Sequence, residues 1–126
     1  MRRCSPLLLV LVVALAACGA SVKTYTDSKT RLCLQSHGTT IESASNDIVA
    51  STSTGGAFRA RFPDNVVTIV FGATVKDANN INDAYHKFSG KNVGLDDVLS
   101  QQANAVLLWH VHPQPADVTV VTSCLK

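Results

Sequence analysis

His110-Val111-His112 is the tightest group of metal-capable side chains in this chain of 126 residues. On a strand, residues two apart point to the same face, and two imidazoles on one face can begin a metal site. Further ligands would have to come from His86, His37 or an acid such as Asp117. No ligand spacing elsewhere supports that set, and the plainer reading leaves both histidines in solvent at a strand end before Pro113. Arg59 and Arg61 also sit two apart. They could hold an anionic ligand, although a charged face turned to water explains them as well. Asp96-Asp97 is a carboxylate pair in sequence only, because helix neighbours diverge; it reads as surface or a helix start. Trp109 reads as a core anchor. The chain has no G-x-S-x-G, no H-E-x-x-H and no P-loop, so no catalytic residue and no cofactor is assigned.

The cysteines are Cys4, Cys18, Cys33 and Cys124. The chain opens on Met1-Arg2-Arg3, followed by an uncharged Leu/Val/Ala run over 7–17. That run is about half the roughly 20 apolar residues needed to span a bilayer. A basic start, a short apolar stretch and small residues after it have the form of a secretory signal peptide. Read instead as a buried helix, the segment would lack any polar face for water. Ala14-Leu15-Ala16 fits ordinary signal cleavage. Leu15-Ala16-Ala17-Cys18, by contrast, resembles the lipobox of bacterial lipoproteins. The resemblance implies removal of residues 1–17 and a diacylglyceryl group on Cys18. It also implies attachment to the cell membrane on its extracytoplasmic side.

Cysteine parity agrees with that reading. Cleavage before Cys18 discards Cys4, gives Cys18 to lipid and leaves Cys33 and Cys124 to pair, as secreted cysteines tend to. Cleavage after Ala16 would leave an odd thiol. A redox dithiol is the other reading of the pair, but such thiols usually lie close in sequence, whereas these lie at opposite ends of the domain. A bridge between them would close about 90 residues, worth very roughly 4–5 kcal/mol by chain entropy if unstrained. Lys and Arg number 11 and Asp and Glu 9. Arg2 and Arg3 lie in the leader, so the remainder carries nine of each sign. No basic patch points to nucleic acid, and membrane attachment would come from lipid rather than a polybasic surface.

The elements follow from pattern. Residues 18–27 read as an anchored tether and 28–126 as a single domain. Thr26 or Asp27 could cap a first helix through Gln35 that stops near Gly38. Thr39-Thr40-Ile41-Glu42 and Ile48-Val49-Ala50-Ser51-Thr52 are rich in β-branched residues and predict two strands around a polar turn. Gly55-Gly56 is a break. Ala57-Phe58-Arg59-Ala60-Arg61-Phe62 alternates, and Val66-Val67-Thr68-Ile69-Val70-Phe71 follows a Pro63-Asp64-Asn65 turn, which predicts a hairpin. Ala78, Ile81, Ala84, Tyr85 and Phe88 recur at helical spacing, with Asp77 at the start and Gly90 as a stop. Residues 93–99 predict a short helix or structured loop. Ala105-Val106-Leu107-Leu108-Trp109 predicts a central strand covered on both faces. Pro115 could open a last helix through Cys124, with Val118, Val121 and Leu125 at helical spacing, although the β-branched residues of 118–122 also suit a strand.

This order predicts an α+β sandwich: a mostly antiparallel sheet with helices packed on it, its terminal helices tied by a Cys33–Cys124 disulfide. Gly55-Gly56-Ala57-Phe58, Val67 to Gly72, Asn104 to Trp109 and Cys124-Leu125 resemble small uncharacterised lipoproteins and secreted proteins of actinobacteria, over about 34–126. That resemblance implies no activity and no site residues. The expectation is a lipid-anchored, non-enzymatic binding or interaction module for a small ligand or an envelope protein. The alternative is a metal carrier or sensor using His110 and His112.

Overall fold

The computed structural model describes residues 23–89 and 94–126. The leader, Cys18, the helix stop at Gly90 and the start of the loop at Val93 lie outside the described residues.

The alternating segment and the apolar run after it form β2 (Ala57–Arg61) and β3 (Val66–Phe71), paired antiparallel with Arg59 opposite Thr68. Asn65, buried at their turn, accepts from the backbone N–H groups of Val66 and Val111 and donates to Val111 O. It thereby ties the hairpin to the chain beyond β5 (Ala105–Trp109), which is buried along nearly its whole length. A short β1 (Thr40–Glu42) extends the β2 edge. The sheet order is β1-β2-β3-β5-β4, with every neighbouring pair antiparallel.

Two elements differ from the sequence expectation. Residues 48–52 form no strand; a turn leads into a 3-10 helix, Ala50–Thr52. The Asp47 carboxylate accepts from the N–H groups of Val49 and Ala50, at 2.9 and 3.0 Å, which turns the backbone away from an extended path. In addition, β4 (Leu99–Gln102) pairs with β5 although Ser100-Gln101-Gln102 carries no strand pattern. Its partner supplies the ladder that its own residues do not encode.

Helices cover both faces. On one, α1 (Asp27–Ser36) and α4 (Pro115–Cys124, with Pro at its first turn) pack over Phe58, Ala60, Val67, Ile69, Phe71, Leu107 and Trp109. A Cys33–Cys124 disulfide joins these two helices, with Cα atoms 5.4 Å apart. The fold is therefore α+β, with the terminal helices tied as the cysteine count implied. Thr26 stands at the α1 N-cap position without a side-chain capping bond; its N–H instead donates to Lys126 O at 2.7 Å. Tyr25 already belongs to the fold. Its N–H and C=O both bond the buried Asn104 side chain, which also donates to Gly72 O. The domain thus begins inside the stretch read as tether.

On the opposite face, α2 (Val75–Phe88) is fixed at its start by a capping box between Thr74 and Asp77. Ala78, Ile81 and Tyr85 pack on Val70 and Val106. Phe88, placed on this apolar face by its spacing, is instead 69% exposed, because α2 runs past the part of the sheet it covers. A four-residue α3 (Leu95–Val98) precedes β4.

Candidate ligand-binding groove

Side chains alternate across a sheet, so the face under α2 carries Ala57, Arg59, Arg61, Val66, Thr68, Val70, Val106 and Leu108. Register sets them in rows. Ala57, Val70 and Val106 form one row, and Glu42, Arg59, Thr68, Leu108 and Leu99 the next. Val66 follows beside His110, whose N–H donates to Val66 O at 2.9 Å. The helix packs on the first of these rows. Over the others the sheet is left open as the floor of a groove of about 500 Å³, within the size range of small-molecule sites. Its walls come from 46–49, from the end of α2 and from α3.

Two polar groups of the wall are committed to structure. The Tyr85 hydroxyl donates to Asp47 Oδ2 at 2.7 Å, while Asp47 Oδ1 takes the two backbone N–H groups of the 3-10 turn. Burial first, and then the hydrogen bond to Asp47, push the Tyr85 phenol well above its ordinary pKa, so it stays protonated. This pair latches the wall at 46–49 onto α2.

Two polar groups of the floor are not committed in this way. Arg59 is partly buried and makes no hydrogen bond or ion pair among the described residues; its charge reaches Glu42 only through space. Glu42, directly across from it on β1, is taken by Arg61 in a two-oxygen pair at 2.7 and 3.1 Å. That hydrogen bond holds the Glu42 carboxyl below its ordinary pKa. The two arginines read as one charged face therefore differ: Arg61 is an exposed ion pair, whereas Arg59 lines the groove. Thr68, 9% exposed, has a hydroxyl with no hydrogen-bond partner among the described residues.

The histidines do not converge. β5 ends at Trp109, so His110 and His112 lie beyond the strand that would have aligned them. His110 lines the groove, while His112 Nδ1 meets Asp97 at 2.8 Å. His86 approaches Asp96 at 3.8 Å. Adjacent acids thus serve different histidines, as helix geometry requires. Asp117 opens α4. His37 lies elsewhere, with a ring nitrogen within 4.8 Å of the sulfurs of Cys33 and Cys124. Both of those sulfurs are taken by the disulfide. Among the described residues no group of three close donors includes His110 or His112. Trp109 packs against Phe62 in the core on the disulfide side, with ring centroids 5.8 Å apart.

Asp47, Thr68 and Tyr85 did not stand out in the sequence. An Asp two residues before the N–H it caps was a usable local signal; the Thr68–Arg59 adjacency required strand register. The chain matches no family model, no curated protein and no solved structure, so function has to be argued from this geometry.

Proposed function

We propose that the protein is a lipid-anchored envelope protein whose domain is a non-enzymatic binding module, with the groove over Arg59 and Thr68 as its ligand site. The observation that carries this reading is the groove itself: a mostly apolar lining, a few convergent polar groups and a sheet floor left uncovered by α2. The binding role, rather than catalysis, is supported by the use of Asp47 and Tyr85 to hold the wall.

The anchor rests on the Leu15-Ala16-Ala17-Cys18 pattern at the end of the apolar run. Among the described residues no helix is long and apolar enough to cross a membrane. The layout of the domain suits an N-terminal tether. Tyr25 is bonded to Asn104 and so sits at the Phe71 end of β3 and the Ala105 end of β5. Val66, Thr68 and Leu108, on the groove floor, lie toward the other end of the same strands. A chain held at its N-terminus would present the groove away from the bilayer. Two acyl chains give the stable attachment that one does not.

Replacing Cys18 with Ala should release the protein from the membrane fraction and remove the lipid mass from its N-terminal peptide. Unchanged fractionation with an unchanged peptide mass would rule out the anchor. The metal reading of His110 and His112 is tested by zinc titration; no binding tighter than about 10 μM dismisses it.

A further inference from the structure

The groove chemistry narrows its ligand further, an inference that rests on the groove being a binding site. The donors left uncommitted on its floor are the Arg59 guanidinium and the Thr68 hydroxyl, cross-strand partners on β2 and β3. The nearby acids are occupied: Glu42 by Arg61, and Asp47 by Tyr85 and two backbone N–H groups. Among the described residues no buried side-chain polar atom lacks a partner, so the unpaired Arg59 and Thr68 donors face the open groove, where one acceptor placed between them takes both. Asn46, Asp47, Tyr85, Ser89 and His110 add polar groups at the walls and end of the groove, and the remaining lining is apolar. Val66, Leu95, Val98 and Leu108 line it, and Ile48 and Phe88 stand at its rim, 73% and 69% exposed. These two are among the few large hydrophobic side chains left in water among the described residues. A ligand tail laid between them would cover surface that the fold itself leaves wet.

We infer that the groove binds a monocarboxylate with an aliphatic tail, such as a fatty acid, its carboxylate on Arg59 and Thr68 and its tail against Leu108, Val98, Ile48 and Phe88. A planar guanidinium matches the two oxygens of a carboxylate, and one cation balances its single charge. A phosphate monoester carries about −1.5 to −2 at neutral pH, more than Arg59, the one Lys or Arg of the lining, balances.

The test is equilibrium dialysis of the full chain, as isolated from producing cells, against decanoate, decanol and decyl phosphate below their self-association limits. Uptake by a Val66→Trp variant, whose indole fills the groove, is subtracted as binding elsewhere; Ile48→Trp, at an exposed position, serves if Val66→Trp does not fold. The expected result is saturable decanoate binding that Arg59→Gln weakens by about tenfold or more and that Lys29→Gln, on α1 at the other face of the sheet, leaves unchanged, with decanol about tenfold weaker than decanoate. Equal binding of decanoate and decanol with no effect of Arg59→Gln overturns the carboxylate while leaving the groove as an apolar site. Preference for decyl phosphate replaces the carboxylate with a phosphate. No groove-dependent uptake of any of the three overturns the groove reading itself.

Discussion

Asn104 shows how one side chain can decide where the domain begins. It is 1% exposed, and its amide makes three hydrogen bonds: from Tyr25 N at 2.6 Å, to Tyr25 O at 2.8 Å and to Gly72 O at 2.9 Å. Ala103 before it adopts φ 49, which turns the β4–β5 connection tightly enough to aim that amide inward. Asn104→Ala would leave buried backbone groups on two segments without partners, each worth about 1–3 kcal/mol. The expected loss is about 2–4 kcal/mol in urea unfolding, together with faster amide exchange at Tyr25. A loss below about 0.5 kcal/mol would show that water replaces the amide without cost. Nothing in the local sequence marks Asn104 as more than a turn residue. Its role depends on the N-terminal segment crossing the end of the sheet.

At the scale of elements, local chemistry and tertiary pairing each overrode a propensity once. Ile48, Val49 and Thr52 favour strand by residue type, yet the Asp47 carboxylate and the Tyr85 hydroxyl draw this segment into a capped 3-10 turn. The same latch sets a pH dependence. Because the Tyr85 pKa is raised by burial and by Asp47, the unfolded phenol loses its proton first. The stabilisation is therefore complete below the unfolded value of about 10 and falls as pH rises beyond it. Thermal midpoints should drop more steeply above pH ~10 in the wild type than in Tyr85→Phe; parallel curves would mean that the phenol is free to ionise in the folded state. The elements legible in the sequence were those with long or redundant signals. The alternation of β2, the apolar run of β5, the 3.6-residue pattern of α2 and the Pro start of α4 each bury a face by themselves. By contrast, β4 was illegible because its strand character comes from β5.

Across the whole molecule, the two faces of the sheet differ in how they are closed. One is sealed by α1 and α4, which a disulfide spanning 91 residues holds together. A loop of that length makes the crosslink worth about 4–5 kcal/mol by chain entropy. The double variant Cys33→Ser/Cys124→Ser should lose stability of that order, about 3–5 kcal/mol in denaturant unfolding, and wild type under a dithiol reductant should match it. A loss below about 1 kcal/mol would show that helix packing alone closes this face.

The other face is left open beside α2, and that opening is the candidate site. The sequence by itself determined several components: two cysteines that pair, a hairpin, a long amphipathic helix and a buried central strand. Each of these follows from composition or from a periodicity that buries one face without reference to distant residues. Only the tertiary structure decided that Arg59 and Thr68 stand side by side on the floor of a groove walled by 46–49, the end of α2 and α3. It also gave Arg61, but not Arg59, an ion-pair partner on their shared face, and it set His110 in the groove and His112 against Asp97. Strand register, and the reach of α2 across the sheet, depend on contacts between residues far apart in the chain, and no local pattern records them.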